Sequence, residues 1–183
     1  MIDAFIIYDE KISSKNQCET LLSELRKKKK IKCDYLIIKK NFFHYLPNAL
    51  IFLVLNFISL FRSTKYKDYN LILSCGRTAA PYNLFFSKKN YTKNYHILDP
   101  YFRRGGFTKI IIPYHDHKKM RIYENIIFTV GALSKKTNLL NKVKYQKRKN
   151  IISFLIGGSG KSSHLSIQDI EGCSRILTDL NNK

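Results

Sequence analysis

Short apolar, β-branched runs alternate along the chain with longer segments of helical periodicity. Residues 4–8, 33–38, 71–74, 95–98, 109–112, 126–130 and 151–156 read as strands. Several of them are almost wholly apolar, as parallel strands buried on both faces must be. Residues 16–29, 47–62, 78–88 and 166–180 read as helices. The alternation predicts an α/β fold, a Rossmann-like parallel sheet with flanking helices.

The stretch 134–150, SKKTNLLNKVKYQKRKN, breaks that pattern: it is polar and basic, and a new apolar run follows it. It reads as a boundary between domains. Residues 1–149 then make one α/β domain. Residues 150–183 supply a strand, a Gly-rich turn and a helix, too little to bury both faces of a sheet. The expectation is an incomplete second domain.

Along the helix predicted at 47–62, Asn48, Asn56, Ser59 and the following Ser63 fall in one narrow arc at about 100° per residue, and everything else from 47 to 61 is apolar. Such a helix belongs in a core, against a partner, or in a membrane interface, the core being the commoner setting. Lys39, Lys40, Arg62, Lys65 and Lys67 lie close enough in sequence to favour anionic headgroups as the interfacial alternative. The run is too short to span a bilayer, which takes ~18 or more apolar residues. No signal peptide is visible at the start.

Composition adds little that is specific. At 44% hydrophobic and 25% charged residues, the 183-residue chain is that of a globular protein. The net charge of +20 comes mostly from lysine, 25 Lys against 8 Arg. An AT-rich coding bias explains that as readily as an anionic partner does, and no nucleic-acid-binding motif accompanies it. The four cysteines, Cys18, Cys33, Cys75 and Cys173, are scattered without metal-ligand spacing and fit a reducing, cytoplasmic compartment.

Candidate chemistry gathers at strand ends. Ser74-Cys-Gly-Arg-Thr-Ala-Ala-Pro81 places Gly76 in a tight turn, Arg77 at the sheet edge, and Thr78 where it can cap a helix. The arginine fork suits phosphate or carboxylate; an exposed Arg on a capped turn is the plain alternative. Asp99 closes the strand of His96-Ile-Leu-Asp-Pro100. Ile112-Pro-Tyr-His-Asp-His117 puts His115 beside Asp116 at another strand end, a pairing suited to a general base or to sugar hydroxyls. His115 and His117 lack a third ligand at metal spacing, so no metal is expected. Gly131 ends a further strand. Gly157, Gly158 and Ser159 form a turn that brings backbone N–H groups toward an anion. The GKS that follows is no P-loop, because Leu155 occupies the position of the first glycine.

The colinear set CGRTAAP at 75–81, ILDP at 97–100, IIIPYHD at 110–116, NIIFTVGALSKKT at 125–137 and FLIGGSGKS at 154–162 resembles the elongated-mitochondria fission protein family. Asn16-Gln17-Cys18 fits the opening segment of that family. Many bacterial members are described as glycosyltransferases or nucleoside-diphosphate-sugar enzymes. The resemblance implies the N-terminal half of a GT-B-like fold, with an acceptor-side domain at 1–149 and the first unit of a donor-side domain at 150–183. It further implies a nucleotide-sugar donor as substrate, with no cofactor, and an acceptor that the apolar helix suggests is lipid-linked. The location it implies is the cytosolic face of a membrane. His115 or Asp116 would be the base, and Asn16, Gln17, Gly76, Arg77, Thr78, Asp99, Gly131, Gly157, Gly158 and Ser159 the ligand-binding set. Asp9-Glu10-Lys11 stands where the family tends to carry a Gly-containing turn. With most of the donor half absent, activity from this chain alone is not expected, and a separate chain would have to supply the rest. The alternative is a non-catalytic, membrane-associated binding or scaffolding module.

Overall fold

A computed structural model describes residues 1–39, 41–61, 67–119, 123–134 and 166–181. The chain divides into two compact units, Met1–Thr137 and Asn138–Lys183. The first is built as β1 (Ile2–Asp9), α1 (Ile12–Arg26), β2 (Ile31–Ile38), α2 (Asn48–Phe61), β3 (Leu71–Cys75), α3 (Ala80–Asn90), β4 (Asn94–Ile97), β5 (Lys109–Pro113) and β6 (Ile126–Thr129). In the second, α4 (Ile167–Asn181) is described. Its start is fixed by a reciprocal pair, Ser166 Oγ with Asp169 N and Asp169 Oδ2 with Ser166 N. The seventh expected strand, residues 151–156, lies outside the described residues.

The six strands form one sheet in the order β2-β1-β3-β4-β5-β6, every pairing parallel. Strand period decides which side chain enters which layer. Ala4, Ile6 and Tyr8 of β1, Leu73 and Cys75 of β3, and Ile111 of β5 pack with Cys18 and Leu22 of α1. Phe5 and Ile7 of β1 and Ile72 of β3 pack toward the start of α3, while Ile110 and Ile112 of β5 meet Phe52 of α2 and Leu84 and Phe85 of α3. Both faces of the central strands are therefore dry, and each fully buried Ile or Leu contributes roughly 1.5–3 kcal/mol. This is the α/β, Rossmann-like arrangement expected from the sequence.

Helix α2 departs from expectation. Its buried residues are Asn48, Ile51 and Phe52, all in its first two turns. Leu50, Leu53, Phe57, Ile58, Leu60 and Phe61 are exposed, the last two to 76% and 75%. A helix buried in the core is thus ruled out beyond its opening turns. The polar arc lies on the more buried side: Asn48 donates to the carbonyls of Arg77 (3.0 Å) and Pro100 (3.3 Å), while Asn56 and Ser59 bond back to the helix backbone.

Candidate functional site

Strand β1 is paired with β2 on one side and β3 on the other, so the chain leaves its carboxyl end in opposite directions from that of β3. In open α/β sheets this switch point is where a crevice opens. Here Asp9 ends β1 at that point, its side chain 3% exposed. Its contacts are long: Lys11 N at 3.4 Å, Thr78 Oγ1 at 3.5 Å and Lys11 Nζ at 3.7 Å. Gly76 adopts φ +87°, and a Cβ there would stand 3.4 Å from Ser14 Oγ and 3.7 Å from Asp9 Oδ2. The turn after β3 thus lies against the start of α1 at ordinary contact distance, and it is the positive φ that calls for glycine.

Helix α1 buries Ser14, Gln17, Cys18 and Leu22. This stripe is apolar toward the carboxyl end of the helix and polar toward its start, where Ser14 and Gln17 stand. Thr78 does not cap α3. Arg77–Ala79 forms a 3-10 turn, the α3 cap residue Ala79 makes no side-chain cap bond, and the Thr78 hydroxyl points back to Asp9. Sequence reasoning missed Asp9 and Ser14; the available signal was a carboxylate ending a buried apolar strand.

Asp99, His115 and Asp116 are not in contact with this group. Asp99 accepts two 2.9 Å bonds from Arg104, from Nε to Oδ1 and from Nη2 to Oδ2, and a third from Tyr101 N. Burial alone would raise its carboxyl, but the Arg104 fork and the Tyr101 amide outweigh this and hold it below its ordinary value. Both oxygens are already committed to the loop. His115 and Asp116 sit in an exposed 3-10 turn, Tyr114–Lys119, with Nε2 and Oδ2 3.8 Å apart. Arg77 is exposed beside Gly76, and its carbonyl receives Asn48. Asn16 and Gln17 face the segment just past Gly131, sharing a cavity with Ala132, Leu133 and Ser134. Gly157, Gly158 and Ser159 lie outside the described residues. No cluster of three His, Cys, Asp or Glu side chains able to hold a metal occurs among the described residues.

The family model described as "Mitochondrial fission ELM1" matches residues 14–183. The chain belongs to the mitochondrial fission ELM1 family. No curated protein and no solved structure matches it. The ELM1 match begins inside α1, so Gly76, Arg77, Thr78, Asp99, His115 and Gly131 fall within it, whereas Asp9 and Lys11 precede it.

In this ELM1-family chain the start of α2 adjoins the carboxyl ends of the strands, because Asn48 ties it to the turns after β3 and β4. Phe42 and Tyr45, in the 3-10 turn just before it, are 88% and 87% exposed. Cations border the apolar surface: Lys88 Nζ lies 5.2 Å and the Arg103 guanidinium 5.0 Å from the Phe52 ring centre. Among the described residues no helix is long and apolar enough to cross a membrane.

Proposed function

We propose that this chain serves as the acceptor-side part of a glycosyltransferase, holding a lipid-linked acceptor at an anionic membrane surface for a sugar delivered from a nucleotide-sugar. The observation that carries this reading is α2. Its outward face is apolar, its base is edged by Lys88 and Arg103, and Asn48 fastens it to the sheet edge where open α/β folds bind ligands. Fourteen residues rise about 21 Å, short of a ~30 Å hydrocarbon core, so α2 lies in the interface rather than across it. The net charge of +20 suits an anionic leaflet. Family membership and the Rossmann-like sheet support the transferase part by analogy of fold.

Deprotonating an acceptor hydroxyl needs a base within hydrogen-bond reach. His115 and Asp116 are a pair of the right chemistry at a strand end, and Arg77 would neutralise phosphate. The solvent-exposed, 3.8 Å His115–Asp116 pair favours a second reading, a non-catalytic membrane-associated scaffold. Both readings share the membrane step and part at turnover.

Co-sedimentation with phosphatidylcholine vesicles, with and without phosphatidylglycerol, tests the shared step. The chain should pellet with the anionic vesicles and be released by Leu53→Asp with Phe57→Asp. Absence of binding at low salt would overturn it. Assayed together with a donor-side domain of a family member, transfer from a nucleotide-sugar to a polyprenyl-linked acceptor that is lost in His115→Ala supports the enzyme; membrane binding without any turnover in that mixture supports the scaffold.

A further inference from the structure

Two cations meet on one buried ring. Phe52 of α2 is 4% exposed, and its ring centre lies 5.2 Å from Lys88 Nζ and 5.0 Å from the Arg103 guanidinium. The guanidinium also lies 5.6 Å from the centre of the Phe102 ring, itself 5.7 Å from that of Phe52. Arg103 adopts φ 38°, in a loop whose next residue, Arg104, is fastened to Asp99. Backbone and ring contacts together fix where its charge stands.

The neighbours Arg103 and Arg104 differ in what holds them. Arg104 commits its fork to both Asp99 oxygens at 2.9 Å. Among the described residues, the exposed side chains of Arg103 and Lys88 make no hydrogen bond and no ion pair. Ring contact positions the two charges but neutralises neither. A guanidinium held through its π face keeps its N–H edge open, and that edge is the part that grips phosphate.

The surface beside the pair is hydrocarbon. Leu53, next to Phe52, is exposed, and so are Phe57 and Leu60, which follow it on the same side of α2. A bulk phospholipid diester presents one charge and two free oxygens. A phosphate esterified once carries about −1.5 to −2 charge near neutral pH and three acceptor oxygens, which matches two unpaired cations better.

We propose that Lys88 and Arg103 bind the terminal phosphate of a lipid phosphomonoester, its hydrocarbon lying along Leu53, Phe57 and Leu60. The inference deepens the acceptor reading above and rests on it, naming the headgroup chemistry and the two side chains that select it.

The test compares phosphatidylcholine vesicles containing phosphatidate with vesicles containing phosphatidylglycerol at matched surface charge. The full chain should bind the phosphatidate vesicles about tenfold more tightly. Lys88→Gln with Arg103→Gln should erase that preference, and Arg103→Lys, which keeps the charge without the fork, should retain only part of it. Both side chains are exposed, so melting temperatures near that of the natural chain would show that the fold is intact. Equal binding to the two anionic vesicles, or a preference that survives the double substitution, removes the site and leaves the membrane reading. A soluble probe separates the opposite case. A chain that binds no vesicle, yet takes geranyl phosphate in preference to geraniol and inorganic phosphate, keeps the site and loses the membrane reading. If it takes neither vesicles nor geranyl phosphate, both fall.

Discussion

Ser74 and His96 face each other across β3 and β4, with Ser74 Oγ 2.7 Å from His96 Nδ1, and neither side chain reaches solvent. Asn83 of α3 donates to the same Ser74 oxygen at 2.6 Å and to the Tyr95 carbonyl at 3.0 Å. Ser74 Oγ thus takes one hydrogen bond from Asn83 and shares a second with His96 Nδ1. Nε2 has no partner and the ring packs against Phe107. The arrangement holds a neutral imidazole where a charged one has nothing to pair with.

Burial drives the His96 pKa down to about 3 from its ordinary 6.5. Between those values the unfolded chain takes up a proton that the folded chain refuses. Stability from His96 is therefore complete above pH 6.5 and declines toward pH 3, by up to about 1.4 kcal/mol per pH unit. Urea unfolding at pH 7, 6, 5 and 4 should show this slope. His96→Leu should flatten it, and an identical slope in that variant would place the titration elsewhere.

Gly76 joins an unusual backbone to a close contact. Gly76→Ala must hold an L residue at φ +87° while its methyl meets Ser14 Oγ and Asp9. The expected cost is on the order of 1–3 kcal/mol, read as a lower urea midpoint. Ser14→Ala should relieve little of it, because the dihedral is the larger part and the side-chain contact alone is ordinary.

Thiol reactivity reports the packing of α1 on the sheet. Cys18 and Cys75 are fully buried in one cluster, and the hydrogen bond to Cys75, together with burial, raises the Cys18 thiol far above its ordinary value. Cys33 and Cys173 are partly exposed. In native protein, an alkylating reagent followed by mass spectrometry should label Cys33 and Cys173 and spare Cys18 and Cys75 until denaturant is added. Early labelling of Cys18 would mean that α1 opens locally.

Strand identity and the parallel sheet were legible because β1, β3 and β5 are short apolar runs, and burial on both faces leaves no other use for them. Helix α1 starts earlier than periodicity alone places it. Ser13 and Ser14 resemble loop residues, yet the link from β1 is only Glu10 and Lys11, and Asp9 steadies it through Lys11 N. The environment of α2 was not legible. A helix apolar apart from one narrow polar arc does not show which face meets protein, and the two carbonyls that hold Asn48 come from distant turns. Among the candidate residues, Asp99 shows the same limit. A carboxylate at a strand end looks available until Arg104, five residues on, is seen to hold both its oxygens.

That pair supports a strained loop. Tyr101 and Arg103, between Asp99 and Arg104, and Leu98, just before Asp99, all have positive φ, at 51°, 38° and 73°. Residues other than glycine adopt such angles only where the surroundings impose them. The paired bonds to Arg104 and the Tyr101 amide bond provide that constraint, and Asn125 adds a bond to the Arg104 carbonyl at 2.9 Å. Asp99→Asn keeps the shape and the Tyr101 bond but loses the ion pair; Asp99→Ala loses all three bonds. Stability should fall by about 1 kcal/mol in the first and by roughly 2–3 kcal/mol in the second. Amide exchange at Tyr101 should quicken in Asp99→Ala and little in Asp99→Asn. Because the Asp99 carboxyl is held below its ordinary value, its contribution is present above the unfolded carboxylate pKa and vanishes as pH falls through the lower folded one. The difference between natural chain and Asp99→Ala should therefore persist at pH 6 and shrink in strong acid. Equal exchange rates in the two variants would show that the loop keeps its shape without the pair.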